Sequence, residues 1–139
     1  MEIKEYDAKY QAQLEHIYLT ARQDTFQWMD TSHYKLSDFI EDTKGEKIWL
    51  AEDSSGVLGF IAVWSQDQFI HHLYVDKRAQ RKGVGKALID TVSQFYQQAI
   101  RLKCLCNNQN AIQFYQSQGF KELSKGVDKE GDYLFLQRG

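Results

Sequence analysis

Apolar residues recur along this chain with two different periods, and the changes between them mark out the elements. Met1 to Tyr6 alternates enough for an edge strand, and from Ala8 to about Ala21 the residues Tyr10, Leu14, Ile17 and Tyr18 fall on one helical stripe. The pattern predicts that a helix resumes near Ser37, after a segment from Arg22 to Tyr34 that has no clean period. Ile48–Glu52 and Val57–Trp64, separated by Asp53-Ser-Ser-Gly, read as a hairpin. Ser65–Gln68 is a short turn leading into the next strand, Phe69–Val75. Ala87, Leu88, Val92 and Phe95 then return to helical spacing, predicting a helix from near Gly85 to about Gln98. A strand over Ile100–Cys106 follows. It must lie parallel to Phe69–Val75, because a strand–helix–strand unit crosses over to a parallel neighbour. Asn108 is a suitable cap for a short helix closed by Gly119. The chain ends in a hairpin with strands over Glu122–Lys125 and Tyr133–Gln137, and Gly126 to Gly131 as its turn.

The 139 residues predict one domain. With 42% hydrophobic and 26% charged residues it has the make-up of an ordinary globular protein. A formal charge of -2 gives no general attraction for nucleic acid or a membrane, so any anion site must come from local charge. The basic residues Lys77, Arg78, Arg81, Lys82 and Lys86 provide it around the glycine loop. No run approaches transmembrane length, no apolar leader is evident, and the two cysteines lack the spacing of a disulfide framework, so a reducing cytoplasm is expected. Cys104 and Cys106 share one strand face without further Cys or His ligands at metal spacing. Buried thiols are expected there, and no metal is expected in the protein.

Strand, glycine loop and helix in that order make an anion-binding arrangement. Gly83 and Gly85 permit unusual backbone angles, so that several N–H groups can face one point at the positive end of the helix. The alternative is a tight turn and nothing more. Gln80 stands where a nucleotide-binding P-loop has its first Gly, Ala87 where it has Ser or Thr, and Leu88 where a dinucleotide fingerprint has its third small residue. The aromatics of the irregular segment, Phe26, Trp28 and Tyr34, are either core or the lining of a small-molecule pocket. His16 and His33 have no visible partner.

Two motifs together resemble the GCN5-related N-acetyltransferase (GNAT) superfamily. Gln80, Gly83 and Gly85 follow the strand ending at Val75 in the manner of its first signature. Asn108, Ala111, Phe114, Tyr115, Gly119 and Phe120 match its second. The match is good over about residues 47–137, and holds in element order before that. The resemblance implies an α/β fold with a mixed, mostly antiparallel sheet of six to seven strands. That sheet is splayed between its fourth and fifth strands and flanked by about four helices. It implies an acetyl-CoA site in which Leu73, Tyr74 and Val75 pair with the pantetheine arm. Gln80, Arg81, Lys82, Gly83, Val84, Gly85 and Lys86 would hold the pyrophosphate, and Asn108 would bond the cofactor.

The activity implied is direct acetyl transfer to a primary amine of a small molecule or a protein. The alternative is a non-catalytic module that binds or senses acyl-CoA. Tyr115 occupies the position that protonates the departing sulfur, and His71 one where several relatives carry a carboxylate base. His72 or a water chain are the other routes for that proton. By simple alternation His71 shares a face with Leu73 and Val75, while His72 points the other way; a bulge where the strand splays would exchange the two roles. Lys103 departs from relatives with a Glu there, and Lys77 from those with Pro. A monomer or homodimer is expected, with no nucleic-acid or membrane partner.

Overall fold

A computed structural model describes all of residues 1–139. Seven strands form one sheet: β1 (Glu2–Glu5), β2 (Lys47–Asp53), β3 (Gly56–Trp64), β4 (Phe69–Val75), β5 (Ile100–Leu105), β6 (Lys121–Asp128) and β7 (Gly131–Arg138). Their order across the sheet is β1-β2-β3-β4-β5-β7-β6, and every pair is antiparallel except β4 with β5. The helices are α1 (Gln11–Thr25), α2 (Asp38–Asp42), α3 (Val84–Tyr96) and α4 (Gln109–Ser117). The mixed sheet and four helices expected from the pattern are therefore present, with the expected splay.

Each face of the sheet carries its own core. On one, Ile61, Val63, Ile70, Ile100, Leu102 and Leu136 meet Leu88, Ile89 and Val92 of α3. On the other, Leu50, Phe60 and Ala62 meet Leu14, Ile17 and Tyr18 of α1 and Phe39 of α2. β4 is the shared wall, since Leu73 and Val75 pack toward α3 while Tyr74 packs toward α1.

Several boundaries differ from the expected ones, among them the end of α3 at Tyr96 and of β5 at Leu105. Helix α1 runs on to Thr25 because the buried stripe continues onto Arg22, which is only 6% exposed. α3 begins at Val84, one residue earlier than expected. The last hairpin is longer, for Gly126 is a strand residue and not a turn residue. A β-carbon there would stand 2.4 Å from the Tyr133 ring on the neighbouring strand. The turn is reduced to Lys129 and Glu130, closed by the Asp128 side chain accepting the Glu130 N–H at 2.8 Å. Outermost strand β6 has an almost fully exposed face, with Leu123 and Val127 among the exposed apolar residues.

Gly59 fixes how closely β3 and β4 approach. A β-carbon there would lie 2.7 Å from the Tyr74 carbonyl oxygen, which is main chain and cannot swing away. Gly59→Ala is expected to cost about 1–3 kcal/mol, the usual range for overpacking. A lowered urea midpoint with an unchanged slope is the check.

Candidate active site

The parallel pairing of β4 and β5 covers Phe69↔Arg101 and Ile70↔Leu102 and then stops. β4 stays registered with β3 as far as Val75, while β5 turns to pair along its length with β7. Antiparallel ladders alternate bonded and unbonded residues, and the Asp76 N–H donates to the Leu58 carbonyl at 2.8 Å. It follows that Tyr74 spends its main-chain groups on β3, whereas those of Leu73 and Val75 face the gap. An extended ligand with its own N–H and C=O groups would complete the ladder there.

At the end of the gap the chain enters the glycine loop. Gly83 has φ of 80° and Arg81 has φ of 66°. The N-terminus of α3 carries no capping side chain and no acidic residue in its first turn. No protein acceptor takes the main-chain N–H groups from Arg81 to Lys86, so several donors and the positive end of the helix point outward together. Gln80, in extended conformation, leads into the loop. The expected role of the two glycines divides, however. Gly83 supplies the left-handed conformation, while Gly85 is helical and is required by packing, because a β-carbon there would lie 2.9 Å from Phe114 of α4. The basic cluster divides too. Arg78 is tied to Asp76 at 3.0 Å and the Val57 carbonyl at 3.0 Å, and Lys86 to Asp90 at 2.5 Å. Lys77, Arg81 and Lys82 are exposed and make no ion pair.

The two histidines do not alternate across β4. Ala62 pairs with His72 and Val63 with Ile70, so His71 is the extra residue of a β-bulge. The bulge turns both side chains to the α1–α2 face, away from Leu73 and Val75. His71 stacks on Trp64 at 6.4 Å between centroids and meets Phe69 edge-on at 5.2 Å. Its Nδ1 is hydrogen-bonded to Glu46 Oε2, in the turn before β2. The Glu46 side chain is only 3% exposed, and burial pushes its carboxyl up while the bond to His71 pulls it back. With Nδ1–H donating to Glu46, His71 keeps a lone pair on Nε2, and its side chain is 41% exposed. His72 donates from Nε2 to the Asp42 carbonyl at 3.2 Å and packs against Tyr18 and Tyr74. Burial pushes its pKa down to about 4.

Tyr115 approaches from the other face. It sits in α4, partly buried against Phe114 and Phe120, with no hydrogen bond to its hydroxyl. Burial first, then the neighbouring Cys104 and Tyr74, hold its phenol protonated well above the ordinary range. Those neighbours lie on β5 and β4, the two strands that part. Asn108 uses its side-chain oxygen to cap α4, accepting from the Ala111 N–H at 3.4 Å, and its amide NH2 has no partner. Cys104 is buried and pushed up to about 11, so it is a thiol at neutral pH and no nucleophile. Lys103 pairs with Asp128 at 2.7 Å.

The irregular segment closes one side of the α1–α2 face. The Arg22 guanidinium lies 3.7 Å from the Tyr18 ring centroid and 4.1 Å from that of Tyr34, and is held by Asp38 at 3.3 Å. Tyr34 thus belongs to the wall beside Tyr74 and His72, whereas Phe26 and Trp28 pack on each other nearer the surface. Sequence reasoning missed Glu46 and Arg22. Nothing in Lys44-Gly-Glu-Lys marks Glu46, whose partner is 25 positions away; Arg22 was detectable as the next position, after Ala21, on the buried stripe of α1.

A family model described as an acetyltransferase (GNAT) domain matches residues 8–135. Peptidyl-lysine N-acetyltransferase YiaC of Escherichia coli (strain K12) is 38% identical over 72 residues, which is 52% of this chain and 48% of that protein. Human N-acetyltransferase 8 is 33% identical over 95 residues, 59% of this chain and 41% of that protein. The chain thus spans about half the length of the curated relatives it matches. Among solved structures, an aminoglycoside 6'-N-acetyltransferase complexed with coenzyme A superposes with a TM-score of 0.75, covering 99% of this chain and 96% of that one. At 15% identity that likeness is one of fold.

The environment of His72 makes stability depend on pH. Around it stand Asp42, Glu46, His71 and Arg22, with the Tyr18 and Tyr74 rings. Unfolded, an imidazole takes a proton near 6.5, whereas folded His72 takes one only near 4. Between these values the unfolded chain binds more protons, so stability is lost as the pH falls. The span corresponds to on the order of 3 kcal/mol. His72→Gln is expected to flatten that part of the curve, as measured by urea unfolding from pH 7 to pH 4.

Proposed function

The chain belongs to the acetyltransferase (GNAT) domain family, and on that premise we propose that it carries an acetyl group from acetyl-CoA directly to a primary amine of a small molecule or a protein. The observation that carries the reading is the gap between β4 and β5, with free amides at one end and a protonated phenol and a carboxylate-bound imidazole on its two faces.

The residues present suit acetyl-CoA. The main-chain groups of Leu73 and Val75 would meet the amides of the pantetheine arm, with the Tyr74 side chain behind them. The N–H groups from Arg81 to Lys86 would hold the pyrophosphate, where Lys82 and Arg81 add charge and Val84 is buried beneath to anchor the helix end. The free amide NH2 of Asn108 is available to the same ligand. When bound, acetyl-CoA supplies an acyl group activated as a thioester.

An amine is mostly protonated at neutral pH and cannot attack until it loses a proton. His71 Nε2 takes that proton, and Glu46 steadies the imidazolium that results, as a buried carboxylate does for a catalytic histidine. The departing sulfur needs a proton on the opposite side of the gap. Tyr115 keeps one there, with a hydroxyl that no protein group engages. The acceptor enters from the α1–α2 face, past Tyr34 and Tyr74. The nearby thiol of Cys104 is protonated, which supports direct transfer over a covalent acyl-cysteine. A cytoplasmic location fits this chemistry, and no helix is long and apolar enough to cross a membrane.

A screen of amines monitored by release of CoA thiol tests the reading. Thermal protection by acetyl-CoA without thiol release from any amine would replace the enzyme with a binding module. Tyr115→Phe is expected to retain acetyl-CoA affinity and lose about 10²-fold or more in turnover, the scale of a general acid. Lys82→Glu, which exchanges an exposed, unpaired cation beside the loop amides for a negative charge, is expected to weaken CoA binding at least about tenfold in a calorimetric titration of the folded variant. Unchanged affinity there removes the pyrophosphate assignment.

A further inference from the structure

The bulge at His71 does more than present one imidazole. It brings two of them to a single carboxylate: Glu46 Oε2 bonds His71 Nδ1, and Oε1 lies 3.9 Å from His72 Nε2. The donor atoms of the three side chains all lie within 4.8 Å of one another. The Glu46 side chain is 3% exposed, yet its Oε1 has no hydrogen-bond partner. A buried, unpartnered carboxylate oxygen is costly, by about 1–3 kcal/mol or more, and its position facing His72 points to a positive ligand between them. The His71 side chain, 41% exposed, leaves a path for an ion from solvent.

Two imidazoles and one carboxylate with an open fourth position form a donor set that suits zinc. Calcium and magnesium instead call for oxygen ligands throughout. We propose that Glu46, His71 and His72 bind one zinc-like divalent cation, with water in the fourth position. For this, His72 Nε2 leaves the Asp42 carbonyl and its proton moves to Nδ1, while the proton of His71 Nδ1 moves to Nε2. Both rings stay neutral and the carboxylate stays ionised. The second transfer has a consequence that rests on the function proposed above: with a proton fixed on Nε2, His71 no longer accepts one from an amine. The cation is therefore an inhibitor of acetyl transfer and not a cofactor for it.

Titration of chelator-dialysed protein with zinc chloride in a calorimeter tests the site. One equivalent is expected to bind, and cobalt(II) chloride in its place is expected to give the intense visible bands of a four-coordinate ion. Glu46→Gln and His71→Gln should each weaken zinc binding at least about tenfold, since loss of even an outer partner of a metal ligand costs that much. Thermal protection of the variants by acetyl-CoA reports that they are folded. Should Glu46→Gln not fold, His71→Gln decides, because its side chain is largely at the surface. No heat with the wild type, or equal affinity in wild type and the folded variants, overturns the proposal. Zinc bound at one equivalent by a protein that acetylates no amine upholds the site and overturns the enzyme reading alone. Zinc bound there without any loss of turnover overturns the inhibition.

Discussion

The parting of β4 from β5 after two residue pairs governs most of this molecule. A main-chain N–H or C=O that is removed from water without a partner costs about 1–3 kcal/mol, and Leu73 and Val75 turn such groups into the gap. A sheet tolerates this only if both halves are held in place by something other than the missing ladder. On the β4 side that support is β3, whose Gly59 allows close approach. On the β5 side it is β7, paired along the full length of β5. α3 connects the halves from behind, with Leu88, Ile89 and Val92 buried in a core that both share.

The two motifs that stand about 25 residues apart in sequence are in contact in space. Gly85, at the start of α3, lacks a β-carbon so that Phe114 of α4 can lie against it. The anion loop and the helix bearing Tyr115 are therefore held as one unit by a single ring over a single glycine. Asn108 adds a second link by capping α4 at the end of β5. The distance between the free amides and the Tyr115 phenol is in this way set by packing, which the direct transfer proposed above would require.

Most elements were legible because their apolar periods are unambiguous. The order strand, hairpin, crossover, hairpin then leaves few topologies. The splay was legible only through the resemblance, for no periodicity reports where a ladder stops. Alternation failed at His71, where an extra residue in β4 turned an imidazole to the opposite face, and a bulge has no signature in a run such as Phe-Ile-His-His-Leu. Gly126 was misleading in the same sense. A glycine in a polar stretch reads as a turn, and its real reason, the Tyr133 ring on the adjacent strand, is a tertiary contact. Glu46 escaped notice because its importance lies entirely in a partner on another strand.

The exposed outer strand β6 has a further bearing on how the protein behaves in concentrated solution. An open row of main-chain groups beside apolar Leu123 and Val127 is a template for another chain to extend. Lys121, Glu122, Lys125 and Asp128 punctuate that row, so an incoming strand must strip water from charges before it can pair. The strand whose hairpin tip brings Glu130 near Tyr34 and Tyr74 is thus kept solvated by its own charged residues.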